Sequence, residues 1–121
     1  RRIQIEELMQ VGLKQREFDV YFQPQICLKT GNLVGAEALL RWNSKVLGSV
    51  NPCEFIPVAE QTALIVPLGY FVLAESLKQA SYWIKLNPNF RVSINLSPRQ
   101  LDDDNFYNEL VKLVDEFQFP V

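Results

Sequence analysis

Three polar side chains interrupt runs that otherwise read as apolar strands: Glu37 and Arg41 in GAEALLRW (residues 35–42), and Asn95 in VSINLS (residues 92–97). A buried, unpaired carboxylate costs several kcal/mol, roughly, so Glu37 must be exposed, paired with a cation or bound to a metal. Side chains alternate along a strand, which puts Gly35, Glu37, Leu39 and Arg41 on one face and Ala36, Ala38 and Leu40 on the other. At ~3.3 Å per residue Glu37 and Arg41 are about 13 Å apart, too far for an ion pair, so they must serve different partners. The same alternation groups Asn95 with Ser93 and Ser97, opposite Val92, Ile94 and Leu96. If the two strands are neighbours, Asn95 turns its carboxamide to the side where Glu37 turns its carboxylate, and Gln23 from an earlier strand adds a third polar group. Oxygen donors without imidazole or thiolate are hard ligands, the set suited to magnesium, manganese or calcium.

Spacing leaves plainer uses open. Glu37 also fits a rim carboxylate paired with a lysine, Arg41-Trp42 a cation stacked on an aromatic edge, and Asn95 a turn or cap residue. Asp102-Asp103-Asp104 reads as a solvated helix start or as a metal site. Asn95-Leu96-Ser97 has the form of a glycosylation sequon, which without a secretion signal carries no weight. Phe55, Phe71 and Trp83 read most simply as core.

Composition removes whole classes of mechanism. The 121 residues include no histidine, which excludes Ser-His-Asp and Cys-His nucleophile schemes, His-ligated zinc and imidazole acid/base chemistry. A hydrophobic content of 48% with 21% charged residues is that of one globular domain owning a core or a large part of one. The net charge of −2 argues against a general DNA, RNA or anionic-membrane surface, so a phosphate ligand must be met by local cations or a metal. Cys27 and Cys53 follow no metal spacing and read as reduced thiols of a cytoplasmic protein. No run approaches the ~20 apolar residues of a membrane span, so no direct membrane contact is expected, although a longer parent protein can be anchored elsewhere.

The elements that must position these residues follow from periodicity. Residues 3–16 place Ile5, Leu8, Met9 and Leu13 on one stripe, a lead-in helix over 1–16. FDVYFQPQICL (18–28) alternates as a strand, KTGN (29–32) is a turn, and LVGAEALLRW (33–42) is a second strand, so the two form a hairpin. Asn51-Pro52-Cys53-Glu54 has the form of a capping box, PVAEQTALI (57–65) reads as a short amphipathic helix, and Pro67 opens a longer one to about Leu86. Asn87-Pro88-Asn89 ends it, FRVSINLS (90–97) is a third strand, Ser97-Pro98 a cap, and a helix runs from about Asn105 to Phe117 before an extended FQFPV (117–121). Strand alternating with helix predicts a parallel α/β sheet with its ligand site at the carboxyl ends of the strands. A closed eight-stranded barrel takes ~250 residues, so this length predicts a half-barrel or a small open sheet.

In this order, YFQPQ, TGNLVGAEALLRW, FIPVAEQTALI, a helix with a late Trp83, VSINLSPRQL and an acidic stretch before a helix resemble the N-terminal half of an EAL domain. That family of cyclic di-GMP phosphodiesterases is named after the tripeptide present here as Glu37-Ala38-Leu39. The resemblance runs from about residue 3 to the end and implies a TIM-type α/β barrel, here a truncated half-barrel, with an antiparallel first strand. It implies that Glu37 and Asn95 are ligands for Mg2+ or Mn2+, and that Gln23, Leu40 and Arg41 line the cyclic dinucleotide site with Arg41 on a phosphate. Pro57 would lie in a loop near a base. The implied reaction is metal-assisted hydrolysis of cyclic di-GMP to the linear dinucleotide pGpG in a bacterial signalling protein; the alternative is an inert relative acting as a cyclic di-GMP receptor or as a protein-interaction module. After Arg41-Trp42 the family usually carries His-Pro, where this chain has Ser44 and Lys45. The family's remaining metal-binding carboxylates, paired aspartates and catalytic lysine belong to its C-terminal half, so no catalytic set is complete within these residues. The expectations are an inactive, weakly metal-binding 121-residue unit that self-associates through its exposed half-barrel, and a neighbouring signalling domain in the parent.

Overall fold

A computed structural model describes residues 2–117, and of Arg2 and Ile3 the backbone only. The chain opens with helix α1 (Arg2–Lys14). Its Ile5 and Met9 are fully buried while Gln4 and Glu7 face solvent, as the apolar stripe requires. Strands β1 (Phe18–Ile26) and β2 (Leu33–Ser44) form the expected antiparallel hairpin, joined by a turn in which Gly31 takes a φ of 73° open to glycine. The extended segment FQFPV lies, after Phe117, outside the described residues.

Two further strands line the opposite edge of β2. The short β3 (Gly48–Val50) runs antiparallel to Trp42–Ser44, and β4 (Arg91–Ile94) runs parallel to Gly35–Ala38. The turn into β3 is held by the Ser44 hydroxyl, which accepts from the backbone N–H groups of Val46 (3.2 Å) and Leu47 (3.1 Å). Strand β4 is shorter than the run 90–97 and stops at Ile94, leaving Asn95 to Ser97 outside the ladder.

Helix α2 (Pro52–Gln61) starts where the cap lies, not at Pro57. Asn51 Oδ1 accepts from Cys53 N at 2.9 Å and Pro52 occupies the first helical position, where its missing N–H costs nothing. Pro57 therefore stands inside a helix, which corrects the expectation of a loop. It forfeits one bond, to the Cys53 carbonyl, while the turns around it bury Phe55, Val58 and Ala59. Helix α3 (Ile65–Leu86) starts two residues before Pro67, whose absent N–H falls among the first-turn donors that have no intrahelical acceptor. The short α4 (Pro98–Leu101) is capped by Ser97, and α5 (Phe106–Glu116) comes after it.

The helices cover one face of the sheet. Phe18 and Trp42 stack at 5.3 Å between ring centroids, and Phe55 meets Trp42 edge-on at 5.5 Å. A second aromatic run joins Phe22 of β1, Trp83 of α3 and Phe90 before β4. The Trp42 indole N–H donates to Glu17 Oε1 at 3.1 Å, tying a buried carboxylate at the start of β1 to the end of β2. The architecture is thus mixed α/β with an antiparallel first strand, as expected. Among the described residues no helix is long and apolar enough to cross a membrane.

The acidic triplet does other work than priming α5. Asp102 caps the end of α4, and Asp103 accepts the Tyr70 hydroxyl of α3. Burial, helped by the Asp103 carboxylate, pushes the Tyr70 phenol up to about 12. A raised value means that folding favours the neutral phenol, so its stabilising share is complete below the ordinary phenol value of ~10 and fades as pH climbs toward 12. In an ultraviolet titration of the four tyrosines, Tyr70 is expected to ionise near pH 12, and Tyr70→Phe to remove that late step. A titration unchanged by the substitution contradicts the Tyr70–Asp103 contact.

Candidate functional site

The face of the sheet turned away from the core gathers the polar strand residues. In register, Gln23 of β1 stands opposite Glu37 of β2, and Glu37 stands beside Ser93 of β4. Asn95 lies two residues further on, and its carboxamide N–H donates to Glu37 Oε2 at 3.2 Å. Glu37 and Asn95, 58 positions apart in sequence, are therefore in contact, as alternation on two neighbouring strands requires.

Arg41 stands four residues along β2, opposite Asp19 in register. Its guanidinium lies 5.7 Å from the centroid of the Tyr21 ring and donates to the Leu40 carbonyl at 3.2 Å. A cation on an aromatic is thus realised, but with Tyr21 and not with Trp42, because neighbouring residues of a strand face opposite ways and Trp42 is buried in the core. Among the described residues the guanidinium meets one ring face and one carbonyl, which leaves N–H donors for an incoming anion.

Between the carboxyl ends of β2 and β4 and the helices lies a cavity of about 350 Å3. Leu39, Leu40, Arg41, Glu60, Asn95 and Gln100 are among its lining residues, so the candidates Leu40, Arg41 and Asn95 meet in one space. Gln23 stands outside it on the open sheet face, and Pro57, exposed on α2, does not line it either.

Glu60 and Gln100 were not among the residues singled out by sequence. Glu60 reads there as one more charge on an amphipathic helix, and Gln100 as a polar residue after a cap. In the fold Gln100 is 1% exposed, lies against Gly69 of α3 and has an amide nitrogen without a hydrogen-bond partner among the described residues. A Cβ added at Gly69 would collide with the Gln100 carboxamide. Gly69→Ala is accordingly expected to destabilise the fold by about 1–2 kcal/mol, overpacking outweighing the gain in helix propensity. Gln100→Ala should relieve most of that cost in a double-mutant cycle read by denaturant unfolding, and strict additivity would contradict it.

Glu37 and Asn95 suit a hard divalent cation chemically: a carboxylate and a carboxamide already within hydrogen-bond distance, the second able to present its oxygen by turning its amide plane. Among the described residues no group of three or more carboxylates, cysteines or histidines comes together, and two oxygen donors alone fall short of the six or more that a hard cation takes.

Comparison with known proteins shows the family of the chain. The EAL domain family profile matches residues 6–121. The chain is 44% identical over 96 residues to cyclic di-GMP phosphodiesterase PA2567 of Pseudomonas aeruginosa, covering 79% of this chain and 16% of that protein. It is 35% identical over 108 residues to cyclic di-GMP phosphodiesterase PdeR of Escherichia coli, covering 89% of this chain and 16% of that one. Among solved structures it superposes on the PaMucR phosphodiesterase in complex with c-di-GMP with a TM-score of 0.87 at 28% identity, over 95% of this chain and 47% of that one. The EAL enzyme Bd1971 in its cAMP-bound form gives a TM-score of 0.87 at 32% identity, over 97% of this chain and 34% of that one. The chain thus spans about a sixth of these curated relatives and less than half of the solved chains. A profile match over nearly its full length, together with the convergence of Glu37 and Asn95, places the chain in the EAL domain family.

Proposed function

We propose that this chain forms the first half of a cyclic di-GMP phosphodiesterase domain and contributes two of its metal ligands and its first phosphate contact. The observation that carries the reading is the contact between Glu37, on the sheet face outside the cavity, and Asn95, which lines the cavity together with Arg41. Named phosphodiesterases among the relatives support the substrate.

Glu37 and Asn95 would hold Mg2+ or Mn2+ by one carboxylate and one carboxamide oxygen. A bound divalent ion supplies charge neutralisation at the phosphodiester and lowers the pKa of a coordinated water. Arg41 then turns its free N–H donors to a phosphate oxygen, leaving the Tyr21 ring. Gln23, beside Glu37 in the sheet, offers a carboxamide to ligand or water, and Leu40 gives an apolar wall. Hydrolysis adds one water across one of the two phosphodiester bonds of the ring and yields pGpG.

The test is incubation of the intact protein with cyclic di-GMP and Mn2+, with the product separated by chromatography. Conversion to pGpG is expected. Tight binding without conversion would replace the enzyme with a receptor, and neither binding nor conversion would favour a protein-interaction module. A polypeptide of residues 1–121 alone is expected to yield no pGpG, since among the described residues no cluster of three carboxylates forms to complete a metal sphere around Glu37 and Asn95; measurable turnover by it would sink this part of the reading.

Self-association of that polypeptide is part of the same reading. The sheet face carrying Asp19, Tyr21, Gln23 and Gln25 is exposed, and the far edge of β1 has no strand partner among the described residues. Sedimentation velocity of residues 1–121 is expected to show dimers or larger species; a sharp monomer boundary contradicts this.

A further inference from the structure

We infer that Glu60 is a positioning residue whose carboxylate fixes Asn95 through Ser97, beside a backbone tie from Arg99 to the same turn. The inference rests on the reading of Asn95 as a ligand but has its own geometry. Asn95 stands one residue beyond the end of β4, where the ladder with β2 has stopped at the pair Ala38 and Ile94. The ladder no longer fixes its backbone there, although its side chain bonds to Glu37 of β2. Residues 97–99 are gripped instead by the last turn of α2. The Ser97 hydroxyl donates to Glu60 Oε2 at 3.1 Å, and the Arg99 guanidinium donates to the Glu60 backbone carbonyl at 2.5 Å. The same Ser97 oxygen accepts from Arg99 N at 3.3 Å, so one hydroxyl links the cap of α4 to Glu60.

The choice of residue is informative. An acid in the last turn of a helix faces the negative end of the dipole, where a cation is locally preferred. Glu60 stands there, half-buried at the cavity that Asn95 lines, with its carboxylate bonded to the segment leaving β4. Its carbonyl is one of the last four of α2, which lack intrahelical partners, and Arg99 supplies the missing donor. Both bonds would be wasted on a purely local helix end. Together they anchor residues 97–99, and with them the backbone that presents Asn95 to Glu37. Groups that orient a metal ligand without touching the metal commonly change metal affinity about 10–100-fold when removed.

Three variants of the intact protein separate the possibilities: Glu60→Ala, Glu60→Gln, which keeps an acceptor for Ser97, and Ser97→Ala, which removes the donor. Amide hydrogen exchange over residues 95–99 without metal is the first readout, and Mn2+ affinity by titration the second. Glu60→Ala and Ser97→Ala are each expected to speed exchange about five- to tenfold and to weaken Mn2+ about tenfold. Glu60→Gln is expected to stay within about twofold of wild type. Exchange in Glu60→Ala equal to wild type overturns the inference, as does a Glu60→Gln variant as impaired as Glu60→Ala, which would make charge the cause. If wild-type Mn2+ affinity does not depend on Glu37, the metal reading of the site fails instead, and exchange at 95–99 still decides whether Glu60 positions Asn95.

Discussion

Replacing Glu37 by alanine in the intact protein is expected to lower the rate of pGpG formation by about 10³-fold or more, the loss falling on kcat. Glu37 is the sole carboxylate on the site face of β2, and its Oε2 is the atom that already meets Asn95. Removing it leaves Asn95 with no anionic neighbour in the sheet, and a neutral carboxamide alone holds a divalent cation weakly. Glu37→Gln keeps the shape and one oxygen but loses the charge, so it should remain within about tenfold of the alanine variant. Asn95→Ala should cost less, about 10–100-fold, because a neutral ligand contributes less charge compensation than a carboxylate. Melting temperatures should barely move in any of the three, since both side chains lie on the open face of the sheet. Full activity in Glu37→Ala would remove this residue from the site.

The largest effect on stability is expected at the residue next to Arg41. Trp42 is 1% exposed, stacks on Phe18, meets Phe55 edge-on and donates its indole N–H to Glu17. Trp42→Ala is expected to cost about 3–5 kcal/mol from lost burial and the cavity left behind, and Glu17 Oε1, losing the indole donor while Oε2 keeps the Lys45 N–H, adds to this. For a marginally stable domain that is enough to unfold much of the population. Trp42→Phe keeps most of the aromatic contact but loses the bond to Glu17, and should cost about 1–3 kcal/mol. Denaturant midpoints decide the matter: an alanine variant within about 1 kcal/mol of wild type would mean that the cluster of Phe18, Trp42 and Phe55 is not the centre of the core.

Glu37 and Asn95 were legible in sequence because strand alternation is a rigid two-residue rule and both lie in runs where every second residue is small or apolar. Their contact then needed only that β2 and β4 be neighbours, which they are. The hairpin was legible for the same reason, with Thr30-Gly31-Asn32 marking the turn. Strand β3 was not: three residues, Gly48-Ser49-Val50, show no alternation, and its pairing depends on the Ser44 hydroxyl turning the chain back. Pro57 misdirected the reading of α2 because proline is usually read as a helix start. Here the Asn51 cap sets the start, and burial of Phe55, Val58 and Ala59 outweighs one missing bond. Glu17, Glu60 and Gln100 carried no pattern at all, since their partners Trp42, Ser97 and Gly69 are supplied by tertiary contact. The roles proposed for Glu37, Asn95 and Arg41 rest on motif order, because distance along a strand shows only that Glu37 and Arg41 have separate partners.

The central claim is that one cation, held in part by Glu37, and Arg41 act on the same ligand. Thermodynamic linkage makes this measurable without turnover: if the ion and cyclic di-GMP share a site, each must change the other's affinity by the same factor. The affinity of the intact protein for cyclic di-GMP should be measured by rapid mixing, before any hydrolysis, with Mn2+ and with a chelator. It should be measured for wild type, Glu37→Ala and Arg41→Ala. The expected result is binding that Mn2+ strengthens about tenfold or more in wild type, binding without Mn2+ dependence in Glu37→Ala, and weakened binding under both conditions in Arg41→Ala. A Mn2+ dependence that survives intact in Glu37→Ala would contradict the claim.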